Sequence, residues 1–172
     1  MRWQIGHIRY AADVRARVDL LRLCIQHHRM HGMRTVKEIL QDSKTVAVVG
    51  MSSKPDRDSF IVAKYLQGHG YRVVPVNPTY AGTEILGEKV YASLQEAADA
   101  LAAEGTQIDV VDCFRKSDDI PPVAREAIAI RARALWMQLG VENRAAADMA
   151  SAAGLDVVMD RCIKIEHASL QA

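Results

Sequence analysis

Residues 44–59 read KTVAVVGMSSKPDRDS, and this stretch decides the fold. Its apolar run, Thr45-Val46-Ala47-Val48-Val49, is rich in β-branched residues, with no polar alternation beyond its first residue. That pattern suits a strand covered by helices on both sides. The run ends at Gly50, where a missing side chain lets the backbone turn sharply and lets a ligand approach it. A polar loop follows with Ser52, Ser53, Lys54 and Arg57, and a helical pattern starts at Ser59. Asp58 or Ser59 is the expected N-cap. Strand, glycine turn and helix start together make a site for a phosphorylated ligand, because unpaired N–H groups and the helix dipole both favour an anion.

Working outward, Phe60 to Gln67 carries Ile61, Val62, Tyr65 and Leu66 on one stripe, with Gly68 and Gly70 as helix stops. Tyr71 to Val76 is a second strand, completing a βαβ unit. Pro75 removes a ladder donor, which places the strand at an edge or bulge. Upstream, Thr35 and Glu38 match a capping box for a short helix to Leu40. Downstream, Lys89-Val90-Tyr91 is a short edge strand open to pairing with a second copy. Ser93 caps an alanine-rich helix to Glu104. A strand runs from Ile108 to Phe114, and a helix from Ser117 or Asp118 to Arg131 holds Pro121 and Pro122 in its first turn. Ala134 to Leu139 is a strand, Asn143 to Ala153 a helix and Leu155 to Met159 the last strand. Beyond it lies a tail, with Asp160, Arg161 and Glu166 expected to form an ion network that pins it.

Strands alternating with helices predict an α/β fold: a Rossmann-like, doubly wound, mostly parallel sheet with helices on both faces. A ligand then belongs at the carboxyl ends of the strands. Those ends are Gly50-Met51-Ser52-Ser53, Val76-Asn77-Pro78, Phe114-Arg115 and Gln138-Leu139-Gly140.

The 172 residues are 49% hydrophobic and 25% charged, with a net charge of +1. This is an ordinary globular balance and the length of one domain. Residues 1–32 hold six Arg against two Asp, and the remaining 140 residues carry a net −3. A mildly acidic body argues against nucleic acid as a partner. Residues 1–32 read as a basic N-terminal extension, helical or poorly ordered, ahead of a single domain over 33–172. His27 and His31 sit four apart there without further metal ligands nearby. Cys24, Cys113 and Cys162 are odd in number and lack a CxxC, as expected of reduced thiols in the cytoplasm. The sequence shows neither a membrane span nor a signal peptide.

A nicotinamide dinucleotide is disfavoured. Gly50 is not followed by the second and third glycines of G-x-G-x-x-G, and the second strand ends in Asn77-Pro78 rather than an acidic residue. A Walker A loop is also absent. A nucleotide with several phosphates remains, neutralised by Lys54, Arg57 and serine hydroxyls.

Five blocks in order carry a resemblance. They are VAVVGMSSKPDRDSFIVAKYLQGHGYRVVPVNP (46–78), ILGEKVY (85–91), IDVVDCFR (108–115), ALWMQLGVEN (134–143) and VVMDRCIKIE (157–166). Together they resemble the stand-alone CoA-binding protein family, itself similar to the CoA-binding domain of the succinyl-CoA synthetase alpha subunit. The resemblance spans about Thr35 to His167. It implies coenzyme A as cofactor, with Gly50, Ser52 and Ser53 along the phosphates and Arg57 and Lys54 near the 3′-phosphate or pyrophosphate. Asn77 and Pro78 would border the adenosine, and Phe114, Arg115, Gln138, Leu139 and Gly140 the other side. The synthetase's phosphate-carrying histidine belongs to a second domain without a counterpart in these residues, so ligase chemistry is not implied.

Simpler roles stand beside these. Ser52 and Ser53 can stabilise a turn, Arg57 can pair with Asp56 or Asp58, and Gln138 can satisfy backbone at a strand end. Cys113 and Trp136 read as core, and Cys162, beside Arg161 and Lys164, as structural or as a reactive thiol. The sequence brings no nucleophile and base together, and no catalytic residue is expected. The expected function is cytoplasmic binding of CoA or acyl-CoA without catalysis. The alternatives are an NAD(P)-binding oxidoreductase or an acyl-CoA transforming subunit that needs a partner. A homo-oligomer or an enzyme partner fits either reading.

Overall fold

The computed structural model describes residues 33–171, so the readings of residues 1–32 lie outside the described residues. A capping box opens α1 (Val36–Asp42): the Thr35 hydroxyl accepts from the Glu38 N–H, and the Glu38 carboxylate accepts from the Thr35 N–H. β1 (Thr45–Val49) is buried at every position. It leads through the polar loop to α2 (Asp58–Gly68) and on to β2 (Arg72–Val76). A 3-10 turn, Pro78–Tyr80, precedes the small antiparallel hairpin β3 (Glu84–Ile85) and β4 (Glu88–Lys89). Then follow α3 (Leu94–Ala103), β5 (Val110–Cys113), α4 (Ile120–Ala129), β6 (Ala134–Met137), α5 (Arg144–Ala152) and β7 (Asp156–Val158). A final helix, α6 (Ile163–Ser169), ends the described chain.

The main sheet has the order β2-β1-β5-β6-β7 and is parallel throughout. Alternation along the strands sends side chains to two cores. Ala47, Val49, Val111 and Cys113 pack with Leu94 and Leu101 of α3, Ala124 of α4 and Ala146 of α5. Val46, Val48, Val110 and Trp136 pack with Ile39 of α1, Val62 and Leu66 of α2 and Ile163 of α6. Helices therefore cover both faces, which explains the unbroken apolar run of β1. The chain runs outward from β1 to β2 and then crosses to β5, so the strand order reverses between β1 and β5.

Three details differ from the sequence reading. Neither Asp58 nor Ser59 caps α2: Arg57 occupies the N-cap without a side-chain bond, and the Ser59 hydroxyl accepts from the Ser52 N–H instead. The Lys89–Tyr91 segment is not an open edge. Lys89 pairs with Glu84, Tyr91 bridges to Val76 of the sheet, and Val90 and Tyr91 are buried. The tail is helical and docked. The Trp136 indole N–H donates to the Arg161 carbonyl at 2.7 Å, and His167 is buried with its Nδ1 3.1 Å from the Tyr65 hydroxyl. The expected ion pair is present between Arg161 and Glu166 at 3.4 Å, whereas Asp160 accepts from the Gly140 N–H. Pro75 does sit on an edge strand. No described helix is long and apolar enough to cross a membrane.

Candidate functional site

The carboxyl ends of β1, β2 and β5 are stitched together by their own backbone. The Gly50 N–H donates to the Val76 carbonyl, and the Phe114 N–H to that of Val49, each at 2.9 Å. Gly50 has φ +86°, a conformation that L side chains rarely adopt. A Cβ there would stand 2.3 Å from the Phe114 carbonyl oxygen and 3.0 Å from the Arg115 Cδ. The β1 and β5 loops thus approach closely because residue 50 has no side chain.

Beyond Gly50, Met51 is fully buried and anchors the loop. The Asn77 amide clamps it from β2, with Nδ2 donating to the Met51 carbonyl at 2.8 Å while Oδ1 accepts from the Thr79 N–H. The Ser52 hydroxyl accepts from the Lys54 N–H and its N–H donates to Ser59, so the loop closes on itself before α2. With no side-chain cap on α2, the Asp58 and Ser59 N–H groups have no acceptor among the described residues. They carry the positive end of the helix dipole.

Over these ends lies a cleft of about 910 Å³. Of the sequence-derived residues, Gly50, Ser52, Arg57, Asn77, Phe114, Arg115, Gln138 and Leu139 line it. Ser53, Lys54, Pro78 and Gly140 do not: Pro78 opens the 3-10 turn, and Gly140 is engaged by Asp160. Sequence reasoning missed Tyr80, Lys116, Cys162, Lys164 and Ile165, which also line the cleft. The last three arrive with α6 and its N-cap, where Ile163 and His167, four apart and both buried, give a helical spacing.

The walls are chemically divided. Arg57, Arg115, Lys116 and Lys164 form no ion pair among the described residues, against the carboxylates Asp56, Asp58 and Asp119 in the same lining. Ile61, Leu139 and Ile165 line it too, with 41%, 66% and 58% of their surface exposed, and they are most of the large hydrophobic side chains that the described surface leaves open. Gln138 at the floor is nearly buried, and its Nε2 donates to Asp112 Oδ1 at 2.7 Å. Burial pushes the Asp112 carboxyl up to about 7 against that hydrogen bond. Burial also pushes the Cys113 thiol up, and the neighbouring Asp112 adds to it. No cluster of metal-ligating side chains occurs among the described residues.

Known proteins are similar to this chain in sequence and fold. The Bacillus subtilis (strain 168) protein YneT is 45% identical over 133 residues, covering 77% of this chain and 92% of its own. The solved structure of a hypothetical protein from Pyrococcus horikoshii OT3 is 38% identical with a TM-score of 0.70, covering 83% of this chain and all of that one. The Thermus thermophilus structure of cell-free ID.343 is 34% identical with a TM-score of 0.70, covering 80% of this chain and 99% of that one. Residues 44–168, which hold every described strand and the whole lining of the cleft, match the family model described as a CoA binding domain. The sheet order, the cleft at its reversal point and this match agree: the chain belongs to the CoA binding domain family.

Proposed function

We propose that this protein binds coenzyme A or an acyl-CoA in the cleft at the β1–β5 reversal point and does not transform it. The observation that carries this reading is the union, in one cleft, of the unpaired α2 N-terminus with Arg57, Arg115, Lys116 and Lys164. Three phosphate groups need such donors and cations. Gly50 and Ser52 take the pyrophosphate at the α2 N-terminus, and Arg57 reaches the phosphate oxygens. Ser53 and Lys54 shape the loop from outside the lining. Asn77 borders the adenosine, and Pro78 holds the turn beside it from outside the lining. Phe114, Arg115, Gln138 and Leu139 accompany the pantetheine arm, and Gly140 holds the turn behind them. The cleft volume suits a ligand of this size.

The exposed Ile61, Leu139 and Ile165 favour an acylated ligand over the free thiol, since an acyl chain laid on them removes apolar surface from water. The binding unit is residues 33–172. Cys113 and Cys162 are free thiols, in keeping with a reducing cytoplasm. The ligand would be carried, sensed or delivered to an enzyme partner.

The test is a thermal shift of the purified chain with CoA, dephospho-CoA, acetyl-CoA, a medium-chain acyl-CoA, NAD and NADP. A ligand at a hundred times its Kd stabilises by about 2.7 kcal/mol. CoA is expected to raise Tm, dephospho-CoA less and the longer acyl-CoA more. A rise with NAD or NADP alone would replace this reading with the oxidoreductase.

A further inference from the structure

Asp112 is the one carboxylate in the apolar strand β5, and it is fully buried. In register with it stand Val48 of β1 and Trp136 of β6. Only one of its oxygens is engaged. Oδ1 accepts from Gln138 Nε2, while Oδ2 is the sole buried side-chain nitrogen or oxygen without a partner among the described residues. A buried carboxylate left half-satisfied is expensive, and an apolar residue would fill the position at less cost. Gln138 links that carboxylate to the cleft, which it lines. Its Oε1 accepts no hydrogen bond from the described residues and is not a buried orphan, so it is open to solvent at the cleft floor.

We propose that Asp112 is a positioning residue that sets which end of the Gln138 amide faces the cleft, and so makes the binding of an amide-bearing ligand depend on a proton. The inference rests on the reading of the cleft as a CoA site. An ionised carboxylate only accepts, so it takes Nε2 and turns the acceptor Oε1 to the cleft. A neutral carboxyl has its own O–H to donate to Oε1, and a half-turn of the amide then presents the donor Nε2. The proton is exchanged with solvent. Gln138 follows β6, two strands from β1 and therefore about 10 Å from the phosphate loop. There the pantetheine arm offers amide N–H groups, which need an acceptor. CoA therefore selects ionised Asp112 and binds more tightly as pH rises.

Besides Tyr71 before β2, charged and titratable groups lie on the elements that cover this face. They are Lys37, Glu38 and Asp42 on α1, and Asp58, Lys64 and Tyr65 on α2. Cys162, Lys164, Glu166 and His167 lie on or before α6, Arg115 and Lys116 follow β5, and Cys113 is next in the strand. Gln138 is the sole side chain that hydrogen-bonds Asp112 among the described residues, and none of them forms an ion pair with it. Burial has pushed this carboxyl up to about 7. A ligand that takes only the ionised form then binds about tenfold more weakly at pH 6 than at pH 8.

Two measurements test this. In the ligand-free protein, the Gln138 side-chain amide is followed by nitrogen-15 NMR from pH 5 to 9, assigned by its loss in Gln138→Leu. It is expected to shift with a midpoint near 7 and to stay flat in Asp112→Asn. Calorimetry with CoA is expected to show a tenfold pH effect in the wild type beyond whatever Asp112→Asn and Gln138→Leu retain. Titration of the CoA phosphates is common to all three. A flat amide in the wild type, or affinity profiles that superimpose for wild type and Asp112→Asn, overturns the proposal. If the amide titrates and CoA binds at neither pH, the switch stands and the CoA reading fails.

Discussion

Gly50→Ala and Gly70→Ala form a matched pair that isolates the contact between the β1 and β5 loops. Both glycines have nearly the same left-handed backbone, with φ +86° and +88°. Each alanine therefore carries the same conformational penalty, about 1–2 kcal/mol, and the same change in unfolded-chain entropy. They differ in what the new methyl meets. At Gly70 nothing lies within 4 Å, whereas at Gly50 the Phe114 carbonyl oxygen lies at 2.3 Å and its carbon at 3.1 Å. Those are backbone atoms, held by the Phe114 N–H bond to Val49, so relief requires moving the β5 end of the sheet. Overpacking of that kind adds about 1–3 kcal/mol. Urea unfolding at fixed pH is expected to show a loss of about 1–2 kcal/mol for Gly70→Ala and about 2–5 kcal/mol for Gly50→Ala, with unchanged m values. Because the displaced atoms wall the cleft, CoA affinity falls in Gly50→Ala alone. Equal losses in the two variants would refute the close approach of the loops and, with it, the reason for a glycine at the cleft.

Four further outcomes are expected. The Asp112 carboxyl is raised from 3.8 to about 7, so the unfolded chain releases this proton at lower pH than the folded one. Folding stability then falls as pH rises from about 4 to 7, by as much as about 1.4 kcal/mol per pH unit and about 4 kcal/mol in all. Asp112→Asn removes that slope, and unfolding curves that stay parallel for the two proteins from pH 4 to 8 would contradict it. Arg57→Ala weakens CoA binding by about 1.5–3 kcal/mol through a lost charge-assisted bond, read by calorimetry, with dephospho-CoA as comparison; unchanged affinity sinks the phosphate role of Arg57. Ile165→Asp lowers affinity for a medium-chain acyl-CoA more than for CoA, and equal losses would remove the acyl chain from that wall. Burial, with the neighbouring His69 second, pulls the His167 imidazole below its ordinary 6.5. Its contribution is present above pH 6.5 and is lost as pH falls through the folded value. Hydrogen exchange in Ile163–Ser169, corrected for intrinsic rates, should therefore accelerate below pH 6.5 relative to α5, and a pH-independent ratio would be the contrary result.

What the sequence by itself determined is what neighbouring residues control. The apolar run of β1, its end at Gly50, the Thr35–Glu38 box and the prolines in the first turn of α4 are set by periodicity, backbone freedom and caps within a few residues. The alternation of strands and helices then led to the parallel sheet and to its carboxyl ends as the site, and eight of the twelve residues named there line the cleft. Only the tertiary structure decided the rest. Asp112 meets Gln138 across 26 residues of sequence, and Tyr65 meets His167 across 102, so no local pattern marks either pair. In sequence the last segment reads as a tail because a seven-residue helix is unstable alone, and α6 exists through docking on α2 and under the Trp136 indole. That docking carries Cys162, Lys164 and Ile165 to the cleft. Ser53 and Lys54 share the loop with Ser52, but the bonds of Ser52 to Lys54 and Ser59 turn the loop so that only Ser52 and Arg57 of the four named there reach the lining. Chain order controls which strand ends meet; long-range packing controls which side chains at those ends face the ligand.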